Sequence, residues 1–142
     1  NMTDIMSAMG LVQLNRYKVL LQRRQEIISR YNAGLNDLPV EVLEHSGKNH
    51  LSSGHLYMMR LRNKSVEERN KFIEAMAQLG VAANVHYKPL PMMTAYKELG
   101  FDIADFPHAY AQFANEVTLP LHTKLTDEEI DYIIESVHKC LN

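Results

Sequence analysis

Apolar residues at Ile5, Met9, Val12, Tyr17, Leu20 and Leu21 recur at helical spacing behind Thr3, a suitable N-cap, and Asp4, which suits the positive end of a helix dipole. This pattern predicts a helix running to about Tyr31 and stopping near Gly34. About 28 residues at 1.5 Å each give roughly 42 Å, longer than the diameter of a small domain, so the helix is expected to join two bodies. Ser7, Ala8 and Gly10 leave room for another backbone, although Gly10 costs some helix stability. Met2, Met6 and Met9 suit an adaptable surface against a second domain or subunit, with core filling as the simpler alternative.

Beyond Pro39, Val40, Val42 and Leu43 suggest a strand, and the polar run from His45 to Gly54 reads as a loop. His55 to Leu61 is the next strand. Ser65 then opens a helix with Glu67 and Glu68 in its first turn and a buried stripe of Phe72, Ile73, Met76 and Leu79, closed by Gly80. Val81 to Tyr87 is expected to be a third strand, stopped by Pro89 and Pro91. Short helices follow around Met93 to Leu99 and Ala104 to Asn115, then a strand from Glu116 to Leu121. Thr126 with Glu129 forms a capping box opening the last helix, whose apolar face is Ile130, Ile133, Ile134 and Val137. Few, short and unevenly separated strands imply an α+β domain, an antiparallel sheet with helices packed on it.

Composition narrows the class. The chain has 142 residues, 46% hydrophobic and 23% charged, with a formal net charge of -2, which fits one ordinary globular unit. Basic residues are balanced by acidic ones, which argues against nucleic acid as a partner. No apolar run approaches the roughly 20 residues that span a bilayer, and the start lacks the basic region and cleavage site of a signal peptide. A lone cysteine, Cys140, makes neither an internal disulfide nor a zinc site, and a reducing, cytoplasmic setting is expected.

The side chains show no Gly-rich phosphate loop, nucleophile elbow or zinc spacing. His45 and His50 lack fixed-spacing partners and read as exposed loop residues. Of the seven histidines, His86 beside Tyr87 is the informative one. At a strand end followed by two prolines, an imidazole and a phenol can project together to bind a phosphate or orient a sugar hydroxyl. On these residues alone the simpler reading is that His86 caps the strand and Tyr87 packs beneath it.

Taken in order, NMTDIMSAMGLVQL, HLYMMRL, GVAANVHYKPLP, AYKELGF, DFPHAYAQFANEVTLPLH and LTDEEIDYII resemble the DegT/DnrJ/EryC1/StrS family of sugar aminotransferases that depend on pyridoxal phosphate. The resemblance covers nearly the whole chain. Each piece is weak alone, and their shared order and spacing make the likeness specific. It implies the small carboxy-terminal domain of the type I aminotransferase fold, with residues 1–34 as a long linking helix and 35–142 as an α+β sandwich. The large cofactor-binding domain, with the Schiff-base lysine, the aspartate facing the pyridine nitrogen and the main phosphate cradle, is then expected upstream. Lys48, Lys64, Lys88 and Lys97 lie downstream of the helix that follows the family's lysine and are not Schiff-base candidates.

By the same resemblance, Asn1 matches an asparagine that reaches the cofactor phosphate of the neighbouring subunit, with a plain helix-entry residue as the alternative. His86 and Tyr87 match a His-Tyr pair bordering the substrate entrance, where nucleotide-sugar phosphates and hydroxyls are held. Lys88 can assist there or stand solvated. His55 and His122 match family positions as well, with strand packing and loop structure as their expected roles. The implied reaction moves an amino group from a donor, typically glutamate, to a keto sugar carried on a nucleotide, in a homodimer with its site between subunits. Two other classes stay open, a dehydratase of the same family with histidine in place of the lysine, and an inert binding or dimerisation fragment. Taken alone, the chain is expected to be inactive.

Overall fold

The computed structural model describes residues 2–141. Helix α1 spans Asp4–Gly34, and the Thr3 hydroxyl accepts from the Met6 amide at 3.4 Å. Strand β1 (Val40–Val42) follows, then a hairpin of β2 (Ser46–Gly47) and β3 (His50–Leu51), strand β4 (Tyr57–Leu61) and helix α2 (Val66–Gln78). Helices α3 (Thr94–Glu98) and α4 (Pro107–Ala114), each preceded by a 3-10 turn, lead to strand β5 (Glu116–Leu119) and helix α5 (Asp127–Leu141).

The main sheet has the order β1-β4-β5, antiparallel throughout. Met59 of β4 lies opposite Val42 on one side and Val117 on the other. Because side chains alternate across a strand, Tyr57, Met59 and Leu61 point the same way, and all three are buried. Ile27, Ile28 and Tyr31 from α1, Phe72 and Met76 from α2, and Ile130, Ile133 and Val137 from α5 complete that core. The α+β arrangement expected from the sequence, an antiparallel sheet with helices packed on it and a long helix in front, is the one found.

Helix starts follow local chemistry. Ser65 and Glu68 exchange reciprocal capping bonds at 3.2 and 2.9 Å, and Thr126 and Glu129 do the same at 3.2 and 2.8 Å. Gly80, at φ +76°, takes the left-handed turn just past α2. Across α1 and α5, Arg23 meets Asp127 at 2.8 Å and Arg30 meets Asp131 at 2.6 Å. The hydrogen bond from Arg23 holds the Asp127 carboxyl below its ordinary range. Gly34 sits where the two helices touch, since a Cβ there would lie 2.8 Å from Ile134 Cδ1.

Several expectations are corrected. Residues 45–54 hold a hairpin rather than a plain loop, with Ser46 opposite Leu51 and Gly47 opposite His50. Within it His45 is half-buried, not exposed, and stacks on Tyr57 with ring centroids 5.7 Å apart. Residues 81–87 form no strand. A single antiparallel bridge, Asn84 to Thr118, pairs them with β5. The ladder fails at its next rung, because the His86 amide goes to the Glu116 side chain, Oε2 at 2.9 Å, and not to the strand backbone. Core filling does not hold for the first methionines. Met2, Met6 and Met9 are 65%, 54% and 59% exposed, alongside exposed Ile5, Leu11, Val12, Leu14 and Val19.

Two outcomes are expected in urea unfolding. Met59→Ala removes a fully buried side chain at the centre of the sheet and costs about 2–5 kcal/mol. His45 has its pKa lowered by burial, so the unfolded chain takes up its proton at a pH where the folded chain stays neutral. Stability therefore falls as pH drops below 6.5, the ordinary value. His45→Phe should flatten that part of the profile, and an unchanged slope would rule this cause out.

Candidate functional site

The approach to His86 begins at β5. Its residues are buried on both faces, Val117 and Leu119 toward the core and Glu116 and Thr118 on the opposite side. Glu116 is 1% exposed, an expensive place for a carboxylate unless its oxygens are paired. They are. Oε1 accepts from the Thr118 hydroxyl at 2.6 Å and Oε2 accepts from the His86 amide at 2.9 Å. Arg69 of α2, 2% exposed, donates to the carbonyl oxygens of Phe113 at 3.0 Å and Glu116 at 3.2 Å. Its guanidinium lies 4.9 Å from the centroid of the Phe113 ring, a cation over an aromatic face. Burial lowers the Arg69 pKa, and the Glu116 charge works to raise it.

On this base stands the segment from Asn84 to Met92. Asn84 exchanges two backbone hydrogen bonds with Thr118 at 3.1 and 2.7 Å. The His86 and Tyr87 rings then meet edge to face with centroids 4.6 Å apart. Tyr87 is 71% exposed, whereas His86 is half-buried. Of the two sequence readings, packing of Tyr87 beneath the chain is therefore excluded. The Nδ1 atom of His86 is buried and has no hydrogen-bond partner, which leaves an unused polar capacity beside an exposed phenol. Pro89, at φ -56° and ψ 141°, keeps the backbone extended before the 3-10 turn Leu90–Met92. Lys88 is exposed next to the pair.

Other sequence candidates lie apart from this pair. Asn1 falls outside the described residues. His122 is exposed in the loop between β5 and α5 and borders a cavity of about 490 Å³ with Ala82, Pro120 and Tyr132. His55 is exposed and precedes β4 instead of packing within it. His45 lines a cavity of about 590 Å³ between α1 and the hairpin. His86 and Tyr87 border neither of these two hollows, and Tyr87 stands exposed beside the half-buried His86. Among the described residues no cluster of His, Cys, Asp and Glu is placed to hold a metal.

A Schiff base with pyridoxal phosphate needs a lysine amine that is desolvated or beside another cation. Every lysine of this chain is exposed, and Lys64 is paired with Glu68 at 3.0 Å. The residues present do not fit an attachment site for that cofactor.

Sequence reasoning passed over Arg69 and Glu116. Arg69 carried a signal, a cation three residues before Phe72 on the apolar stripe of α2. Glu116 and Thr118 alternate with Val117 and Leu119, the usual mark of a solvated outer face; the cover comes from residues 84–86, remote in sequence.

A model of the DegT/DnrJ/EryC1/StrS aminotransferase family matches residues 1–138. UDP-4-amino-4,6-dideoxy-N-acetyl-beta-L-altrosamine transaminase of Helicobacter pylori is 32% identical over 97% of this chain and 36% of its own length. The spore coat polysaccharide biosynthesis protein SpsC of Bacillus subtilis is 31% identical over 96% of this chain and 36% of its own. Spr1654 of Streptococcus pneumoniae, a protein assigned as a sugar aminotransferase, superimposes in its apo form with a TM-score of 0.95 at 56% identity, covering 99% of this chain and 35% of that one. Its form with pyridoxal phosphate gives 0.93 at 55%, covering 100% and 37%. The chain thus spans little more than a third of the length of these relatives.

The polar base makes a stability contrast. Arg69→Met leaves one buried and one part-buried carbonyl without this donor and should cost on the order of 2–4 kcal/mol, whereas Lys64→Ala breaks an exposed pair worth about 0.5 kcal/mol. Equal urea midpoints for the two variants would show that Arg69 does not hold β5.

Proposed function

The chain belongs to the DegT/DnrJ/EryC1/StrS aminotransferase family, and on that premise we propose that it is the carboxy-terminal part of an enzyme that aminates a keto sugar carried on a nucleotide, with glutamate as donor. In this reading residues 1–34 link the small domain, 35–142, to a large domain that holds pyridoxal phosphate through its own lysine. The cofactor supplies the amino-transfer chemistry. This chain supplies one wall of the substrate entrance, and Asn1 reaches toward the cofactor phosphate of a neighbouring subunit. The whole enzyme acts as a homodimer in the cytoplasm.

The observation that carries the proposal is the His86-Tyr87 pair, held from below by Glu116 and open to the surface above. An exposed phenol donates to a phosphate or sugar oxygen, and the half-buried imidazole beside it gives a second polar point through its Nε2, the ring nitrogen that is not buried. Two such groups on a loop stiffened by Pro89 and Pro91 orient a ligand with little entropy lost on binding. Exposed Lys88 adds positive charge on the side where a diphosphate is expected. Support also comes from the H. pylori relative, whose name describes a transaminase of a UDP-linked amino sugar.

The full-length parent, given glutamate and a UDP-linked 4-keto sugar, should release 2-oxoglutarate and the amino sugar, while this chain alone should give neither. Tyr87→Phe and His86→Ala in the parent should each raise KM for the nucleotide sugar roughly tenfold, the loss of one charge-assisted hydrogen bond. Loss of a sugar hydroxyl without consumption of glutamate would identify a dehydratase instead. Absence of both reactions would refute the proposal.

A further inference from the structure

We infer that Glu116 is the positioning residue of this entrance, its buried carboxylate fixing the His86 backbone and thereby aiming the His86-Tyr87 pair at a nucleotide-linked sugar; the inference rests on the reading of that pair given above. Its basis is where the segment is tied down. Among the described residues, the amides between Asn84 and Met92 that reach across to β5 are those of Asn84 and His86. Asn84 bonds to the backbone of Thr118, a contact any residue there would make. His86 bonds to a side chain, so its position depends on the identity of residue 116.

Three features make Glu116 suited to this. It is 1% exposed, so water does not compete for its oxygens. Its second oxygen is taken by Thr118 at 2.6 Å, which removes the rotational freedom of the carboxylate. Its own carbonyl is gripped by Arg69 at 3.2 Å, which ties the start of β5 to α2. Beyond His86 the chain turns outward to the exposed Tyr87 and Lys88, so a shift at the His86 amide is carried directly into the groups that face a ligand. Glu116 touches no substrate in this scheme. It acts through His86.

The test uses the full-length parent with E116A, E116Q and T118V. Hydrogen exchange at the His86 amide, read from peptides covering residues 84–92, should quicken about tenfold in E116A, the loss of one such bond. Affinity for UDP-N-acetylglucosamine and KM for the keto sugar should worsen by a similar factor, while the half-reaction with glutamate keeps its rate. E116Q, whose amide oxygen still accepts from the His86 N–H while its NH2 turns to Thr118, should recover most of the protection and affinity. T118V frees the carboxylate without removing it and should give a smaller change of the same sign, so the inference remains testable if E116A does not fold. Unchanged exchange at His86 would overturn it, as would faster exchange with unaltered nucleotide affinity, or equal damage to both half-reactions. If the parent aminates nothing yet exchange and UDP-N-acetylglucosamine affinity change as stated, the proposed reaction falls and the positioning role of Glu116 stands.

Discussion

Strand β4 is the member on which the rest of the structure depends, because it is the central strand of the main sheet, with a strand along each edge. Tyr57, Met59 and Leu61 project from it into the space closed by α1, α2 and α5. That geometry brings two phenols into the core, and each finds an acceptor, Tyr31 at Pro120 O at 2.7 Å and Tyr57 at Asn32 Oδ1 at 2.9 Å. Burial pushes both phenol pKa values far up, so they act as neutral donors at any physiological pH. The acceptors lie on α1 and at the end of β5, and the pair therefore ties the long helix and the sheet edge to one centre.

On the other side of the sheet the balance is different. Polar groups there are sheltered by a segment that makes only one bridge with β5, so hydrogen bonds to side chains replace a strand ladder. A ladder would have placed the backbone of residues 85–87 flat against the sheet. The side-chain anchorage lifts Tyr87 clear of it while keeping His86 half-covered. Exposure of the phenol and restraint of the backbone thus come from the same departure from regular pairing.

Elements whose boundaries are encoded locally were legible in the sequence. Thr3, Ser65 and Thr126 cap their helices where capping chemistry places them, and the apolar stripes of α2 and α5 face inward. Failures occurred where a distant residue decides the outcome. Residues 81–87 have strand-like composition, yet Glu116, thirty positions away, takes the amide that a ladder would use. His45 looked solvated until Tyr57 was placed beneath it. The exposed apolar side chains of α1 repeat at helical spacing just as a core stripe does, and periodicity by itself does not say which body they meet.

Gly34 lets the last turn of α1 lie close against α5. Its lack of a side chain lets the end of the helix rest against Ile134, and any Cβ at that point would press into the isoleucine. Ile27, Ile28 and Tyr31 in the core and the pairs of Arg23 and Arg30 with α5 hold the second half of the helix, while residues 4–15 run on for roughly 18 Å, so each degree of tilt swings the far end by about 0.3 Å. The free end is steered by that whole clamp, and the smallest amino acid lets its last turn seat.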